Sequence, residues 1–354
     1  MEDIESIESL IIDLQTLRIA TDDFAENNML GQGGFGAVYM GSLPSGQQIA
    51  VKRLSQNSRQ GIGELKNEIT LIAKLQHKNL VRLVGVCIQE QEKLLVYEYM
   101  PNNSLDTFLF DSEKRKEIEW AKRFTIINGV ARGLQYLHED SRLKIVHRDL
   151  KASNILLDAN MNPKISDFGL ARLFGEQSHV TTNRVVGTFG YMAPEYALCG
   201  KYSIKSDIYS FGVLILEIIT GRRNSGSYNS DQAVDLPSLI WEHWTTKTIT
   251  DMVEPCLRNG SSWDEILRCV HIGLLCVQED HVDRPSISAV STMLDSNTVP
   301  SQSPSRPAFY RMSGNVDSGM YSQSYPRFVN ESTAKLTIVS PNELSITDPE
   351  PRDG

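Results

Sequence analysis

The sequence predicts an α+β fold, with a strand-rich first part and a mainly helical remainder. Three observations carry that prediction. From 30 to 100 the pattern is mostly strand-like, with one helix that repeats Leu65, Glu68, Ile72 and Leu75 at spacings of 3, 4 and 3, so Glu68 shares a face with apolar residues. A long helix follows, with Phe124, Ile127, Ala131 and Leu134 on its inner face. Residues 207–219 are apolar nearly all round, the pattern of a fully buried helix.

Length and charge bound what surrounds these elements. The 354 residues allow one large domain or two smaller ones, and 40% hydrophobic with 22% charged residues is enough to build a real core. The formal charge is −9, unevenly placed: residues 1–30 hold eight acids and one base, Arg18, whereas 31–297 hold 30 acids and 29 bases. An acidic balance excludes a general nucleic-acid binder, which needs a basic footprint. Residues 1–23 read as an acidic leader with one apolar-periodic piece at Leu10, Leu14 and Leu17. Seven of the 14 prolines fall in 298–354, among many serines and without periodicity, so that tail is expected to be largely disordered.

The 5 cysteines form no CxxC pair, which suggests neither a zinc site nor a disulfide framework, but buried reduced thiols. No run of 18 apolar residues occurs; the most apolar stretch, 211–219, contains Glu217. The N-terminus lacks the layout of a signal peptide and the Met-Gly start of a myristoylation site. The chain therefore reads as cytoplasmic, with no transmembrane segment.

Leu30-Gly31-Gln32-Gly33-Gly34-Phe35-Gly36-Ala37-Val38 is a glycine-rich loop whose backbone can approach phosphates closely. Taken alone, such a loop could belong to a dinucleotide fold or be a simple turn. A dinucleotide site would want a helix next and an acid about 20 residues on. Here the chain continues as a strand, and Lys52 stands 21 residues after Gly31. No Gly-Lys-Ser/Thr occurs, which disfavours a P-loop. A strand lysine beside a glycine hairpin suits holding nucleotide phosphates. It needs a carboxylate to keep it charged and placed. Glu68 is the candidate, though Glu64 or Glu68 could equally be a solvated helix acid.

The next motifs decide. His147-Arg148-Asp149-Leu150-Lys151-Ala152-Ser153-Asn154 precedes the strand-like Ile155-Leu156-Leu157, and Asp167-Phe168-Gly169 begins 13 residues after Asn154. Gly187-Thr188 and Ala193-Pro194-Glu195 follow. This set, in this order and over about 30–297, resembles the eukaryotic protein kinase signature. The wider segments, with Leu95-Val96-Tyr97-Glu98-Tyr99-Met100 and Tyr191-Met192-Ala193-Pro194-Glu195-Tyr196, resemble plant receptor-like kinases. Asp283-Arg284-Pro285 and the tail 343–352 resemble the cysteine-rich receptor-like group. That group carries a cysteine-rich ectodomain and a membrane span ahead of the kinase. Neither is among these residues, so the chain reads as a kinase-only relative or as part of a longer chain. In the second case it would sit at the cytosolic face of the plasma membrane.

The resemblance implies a protein-kinase fold over 24–297, with a small β-rich N-lobe at 24–100 carrying one key helix and a larger, mainly helical C-lobe at 101–297. It implies ATP with magnesium or manganese, and serine/threonine hydroxyls of protein substrates as acceptors, in receptor-linked signalling of defence or stress. Backbone groups of 31–36 would cover the phosphates. Lys52 would hold the α- and β-phosphates, oriented by Glu68. Asp167 and Asn154 would bind metal. Asp149 would accept the hydroxyl proton, and Lys151 would help neutralise the γ-phosphate. Lys151 and Thr188 fit the serine/threonine class. Val38 and Ala50 would roof the adenine slot, Leu156 would floor it, backbone groups of Glu98 and Met100 would read the adenine edge, and Tyr97 would be the gatekeeper. Ile72, Leu83, His147 and Phe168 would form a stacked internal spine. Asp207 would anchor the catalytic-loop backbone, and Glu195 would pair with Arg284.

Arg148, placed directly before Asp149, invites a phosphate on the 167–195 loop; Ser178, Thr181 and Thr182 are the candidates. A receptor kinase or a second copy acting in trans is a possible partner. Two other classes stand beside the active kinase. A pseudokinase scaffold is opposed by the presence of Lys52, Glu68, Asp149, Asn154 and Asp167. A kinase-fold small-molecule phosphotransferase is opposed by the Ala193-Pro194-Glu195 and Gly187-Thr188 segments, which suit a peptide.

Overall fold

A computed structural model describes residues 10–33, 36–55, 59–89, 91–175, 178–224, 235–258, 262–296, 298 and 300–310. The chain divides into two compact units: Met1–Glu176 with Ile287–Ser296, and Gln177–Ser286 with Asn297–Gly354.

The first unit is built on a five-stranded antiparallel sheet of order β1-β2-β3-β5-β4. Its strands are β1 (Met29–Gly33), β2 (Gly36–Ser42), β3 (Gln48–Leu54), β4 (Leu83–Gln89) and β5 (Glu92–Glu98). Leu94, Leu95 and Val96 of β5 are fully buried, so this strand is covered on both faces. Gly36 is forced by packing: its φ is 132°, and a Cβ there would meet the Arg53 carbonyl oxygen at 2.0 Å.

The piece read as an acidic leader is structural. Helix α1 (Leu14–Ala20) is capped by the Asp13 carboxylate, which accepts from Thr16 N at 3.2 Å. Leu14 and Leu17 are buried against Tyr39, Ile49, Val51 and Val96. Before the helix, Ile12 N donates to the Val86 carbonyl and Val86 N to that of Leu10, extending the free edge of β4. The described acids of this segment, Asp13, Asp22 and Asp23, are exposed, which is why composition alone suggests a solvated leader. Residues 1–9 lie outside the described residues.

Helix α2 (Arg59–Ile72) buries Leu65, Glu68, Ile69 and Ile72. Helix α3 (Trp120–Gln135) buries Ile127, Ala131 and Leu134, but Phe124 is only half-buried and Arg123 takes the inner position. Arg123 is tolerated there because its guanidinium donates to the carbonyls of Ile118 and Arg115. Two short antiparallel pairs follow: β6 (Ile145–Val146) with β9 (Arg172–Leu173), and β7 (Ile155–Leu157) with β8 (Pro163–Ile165). Helix Ile287–Asp295 packs on α3, where Ser291 donates to Gln135 at 2.8 Å.

The second unit is mainly helical. Its described helices are α4 (Pro194–Cys199), α5 (Ile204–Thr220), α6 (Leu236–Thr245) and α7 (Trp263–Cys276). Helix α5 opens in a capping box of Ser203 and Ser206, ends at Gly221 with φ 64°, and is buried from Ser206 to Thr220. Residues 300–310, expected to begin a disordered tail, are anchored: Ala308 is buried and donates its N–H to the Val277 carbonyl. They lack periodicity because side-chain and backbone hydrogen bonds hold them, not an apolar face. The rest of the expected tail, 311–354, lies outside the described residues.

Candidate active site

The chemistry-bearing residues of the first unit converge on a cleft of about 320 Å³. Its upper lining comes from β1 to β3 (Leu30, Gly31, Val38, Ala50, Lys52), its back from Glu68, Tyr97 and Asp167, and its lower side from Leu156. Glu98 and Met100 line it as well; Val81, Asn103, Ser104, Ser153 and Ser166 do so without having been singled out in the sequence. A Cβ at Gly31 or Gly33 would meet nothing within 4 Å among the described residues, so none of these explains glycine at the two positions. That open space is what a loop lying over phosphates requires. Gly34 and Phe35 lie outside the described residues. Gln32 and Ala37 are paired across β1 and β2.

Lys52 is the hub. Its ammonium donates to Asp167 Oδ1 at 2.9 Å and to Glu68 Oε2 at 3.5 Å. Glu68 is 1% exposed, and its second oxygen accepts from the Tyr97 hydroxyl. Burial pushes the Glu68 carboxyl above its ordinary value against the pull of Lys52. Burial, with Glu68 alongside, raises the Tyr97 hydroxyl well above that of an ordinary phenol. Burial also works against the Asp167 carboxylate, but Lys52 and then Lys151 outweigh it and hold that carboxyl below its ordinary value. Glu64 is outside the residues whose side chains are described.

A second cluster sits on the loop after β6. Lys151 Nζ lies 3.1 Å from Asp149 Oδ2. Asn154 Nδ2 donates to the Asp149 carbonyl at 2.8 Å and to Oδ2 at 3.1 Å. His147 accepts from Asp149 N at Nδ1 and donates from Nε2 to the Ser166 carbonyl at 3.0 Å, so both ring nitrogens serve the backbone. Its ring meets Phe168 edge-on at 5.0 Å. Ile72, Leu83, His147 and Phe168 are all buried. Arg148 donates to the Leu170 carbonyl at 3.2 Å. Arg148 and Asp167 adopt left-handed backbone, φ 71° and 62°, a conformation retained mainly where surroundings enforce it.

Asn67 was not singled out by sequence. Its Nδ2 faces the carbonyls of Phe168, Gly169 and Ala171 at 3.1, 3.1 and 2.8 Å, tying α2 to the segment after Asp167. Its position beside Glu68 was the available signal.

A magnesium ion fits this donor set. Such ions are held by one or two carboxylates with phosphate oxygens and water, not by a protein cage. Among the described residues no group of three or more His, Cys, Asp or Glu could form a cage. Asp167 and Asn154 supply one carboxylate and one amide.

In the second unit, Arg284 donates from Nη1 and Nη2 to the two Glu195 oxygens, each at 2.9 Å. It also donates to the carbonyls of Gln278, Glu279 and Lys205. Asp207 is fully buried in the first turn of α5. Thr188 is buried. Thr181 pairs with Lys201, Thr182 exchanges hydrogen bonds with Arg184, and Ser178 contacts His179; Ser178 and Thr181 are exposed and Thr182 is half-buried.

This fold and site define a protein kinase. The sequence pattern of the protein tyrosine and serine/threonine kinase family matches residues 24–294, and the chain belongs to that family. It is 62% identical, over 99% of its own length, to cysteine-rich receptor-like protein kinase 6 of Oryza sativa subsp. japonica, covering 51% of that relative. It is 63% identical to cysteine-rich receptor-like protein kinase 10 of the same organism, over 87% of this chain and 48% of the relative. It is 53% identical to cysteine-rich receptor-like protein kinase 8 of Arabidopsis thaliana, over 99% of this chain and 51% of the relative. The chain thus spans about half the length of the curated relatives it matches. No helix among the described residues is long and apolar enough to cross a membrane.

Proposed function

We infer that the chain transfers the γ-phosphoryl group of ATP to serine and threonine hydroxyls of proteins. The observation that carries this is the Lys52 ammonium held between Glu68 and Asp167 at the back of the cleft. Lys52 binds phosphate oxygens, and Glu68 keeps it charged and aimed. Asp167 and Asn154 hold magnesium, which neutralises charge on the phosphates when bound. The backbone of 31–36 covers the phosphates and excludes water. Asp149 orients the acceptor hydroxyl and takes its proton at Oδ; Lys151, beside it, offsets charge on the moving phosphoryl group. Glu98 and Met100 read the adenine edge below Val38 and Ala50, with Leu156 beneath.

Phosphate on Ser178, Thr181 or Thr182 would add charge for an arginine to bind, and Arg148 is the residue we assign. Asp207 is assigned to the catalytic-loop backbone. The relatives are receptor-like kinases, so the working location we assign is the cytosolic face of the plasma membrane, with receptor-linked substrates and trans action between copies. The test is autophosphorylation with ATP and magnesium, beside Asp149→Asn and Lys52→Met, with mass spectrometry of 178–188. Transfer by wild type alone is expected. Equal silence of all three proteins would replace this reading with a scaffold.

A further inference from the structure

Residues 300–310 belong to the second unit and form a strap across the end of α7. The strap is attached at three places. Ala308 N donates to the Val277 carbonyl at 3.2 Å, and Pro307 bridges to Gln278. His271, buried on α7, has its Nε2 2.7 Å from the Gln302 carbonyl. The third attachment is of a different kind. The N–H and the hydroxyl of Ser305 both donate to one atom, Gln278 Oε1, each at 2.8 Å. Gln278 is 1% exposed, and its Nε2 is already committed to the carbonyls of Leu275 and Asp283. Ser305 therefore supplies the donors that a buried amide oxygen needs. Ser305 itself is exposed.

The surroundings are acidic. Ser305 lines a surface hollow with Glu279, Asp280, His281, Asp283 and Arg306. The Arg306 guanidinium is engaged, donating to Glu279 Oε2 from Nε at 3.2 Å and from Nη2 at 2.9 Å.

We propose that Ser305 is a phosphorylation site and that its phosphate releases the strap from the end of α7. The proposal rests on the kinase reading above, because a second copy of this chain supplies the phosphoryl group from ATP. In the transfer the Ser305 O–H bond breaks and an Oγ–P bond forms. The bond from the γ-phosphorus to its bridging oxygen breaks and ADP leaves, while the hydroxyl proton passes to Asp149 of the acting copy and then to water. Phosphoserine keeps no hydroxyl donor for Gln278 Oε1. It places about −1.5 to −2 charge beside that oxygen and beside Glu279, Asp280 and Asp283. A phosphate there competes with Glu279 for the Arg306 guanidinium, which weakens another tie. Transfer occurs to the released strap, so modification traps that state. The consequence reaches inward, because the Gln278 carbonyl accepts from Arg284, the partner of Glu195.

The full chain is incubated with ATP, magnesium and casein, with Asp149→Asn as the inactive control. Phosphosites are mapped, and hydrogen exchange is followed at the amides of Ser305 and Ala308. The expected result is phosphate on Ser305 in wild type alone. Exchange at both amides should rise on the order of tenfold or more, since a buried acceptor loses its donor. Ser305→Glu should reproduce the faster exchange without ATP. Ser305→Ala, which keeps the N–H donor, should accelerate it less. Wild type that phosphorylates casein but leaves Ser305 unmodified overturns the site while the kinase reading stands. Equal exchange in wild type and Ser305→Glu overturns the release. Absence of phosphate on casein and on the chain overturns the kinase reading and this proposal together.

Discussion

Tyr97 donates its hydroxyl to Glu68, the same carboxylate whose other oxygen accepts from Lys52. The bond closes the back of the cleft with a residue of β5 and fixes which way the Glu68 carboxylate turns. Tyr97→Phe leaves a buried carboxylate oxygen without that donor, at about 1–3 kcal/mol. A lower melting temperature and a severalfold loss of kcat/KM for ATP are expected. Unchanged kinetics in Tyr97→Phe would show that Lys52 alone positions Glu68.

Glu68 also sets a pH dependence. Its folded pKa lies above the ordinary glutamate value of 4.5 because it is buried. A raised folded pKa contributes stability fully below the unfolded value, and that contribution is lost as pH rises through the folded one. Glu68→Gln does not titrate, so the stability advantage of wild type over Glu68→Gln should shrink from pH 4.5 upward. Asp167, held low by Lys52, acts oppositely: its contribution is present above the ordinary aspartate value of 3.8 and is lost as pH falls through the depressed one. Urea denaturation of wild type, Glu68→Gln and Asp167→Asn from about pH 2 to 8 separates the two slopes.

Asn67 should matter more than its neutral side chain suggests. Asn67→Ala removes the donor facing the Phe168, Gly169 and Ala171 carbonyls, and Asn67→Asp sets a carboxylate against them. Both should lower kcat and speed proteolysis in 168–175, Asn67→Asp more severely. Equal proteolysis in all three proteins would remove Asn67 from this role.

Leu17, fully buried against the sheet, tests the status of α1. Leu17→Ala should cost about 2–5 kcal/mol, the range for a buried leucine, and deleting 1–23 should cost at least as much. An unchanged melting temperature on deletion would restore the view of this segment as a leader.

Arg284→Leu should destabilise by about 3–5 kcal/mol, since Glu195 would lose its charge partner and three carbonyls would lose the Arg284 donor. Calorimetry of the variant reads this directly. A loss below 1 kcal/mol would mark the pair as dispensable.

Some of this was legible in one dimension. Period and spacing located the strands, α2, α3 and the buried α5, because a side chain's face follows from its place in a regular element. The groups to which we assign the chemistry stand in short contiguous motifs, as with Asp149, Lys151 and Asn154 within six residues. Other features carry no local signal. Whether Glu68 served Lys52 or was an ordinary solvated acid could not be read from the helix pattern, because both were compatible with it. Phe124 and Arg123 exchanged places because the carbonyls that satisfy Arg123 lie outside its own periodic pattern. The strap at 300–310 looked structureless because it is held by Gln278 and His271, not by an apolar repeat.

What the sequence determined by itself is the inventory: which charged and polar groups the kinase motifs contain, and in what order. The tertiary structure decided their partners. Lys52 meets Asp167 across 115 residues, Tyr97 meets Glu68 across 29, and Arg284 meets Glu195 across 89. Such pairings depend on how distant segments are brought together and dried. Burial then turns an ordinary polar side chain into one that must find its partner.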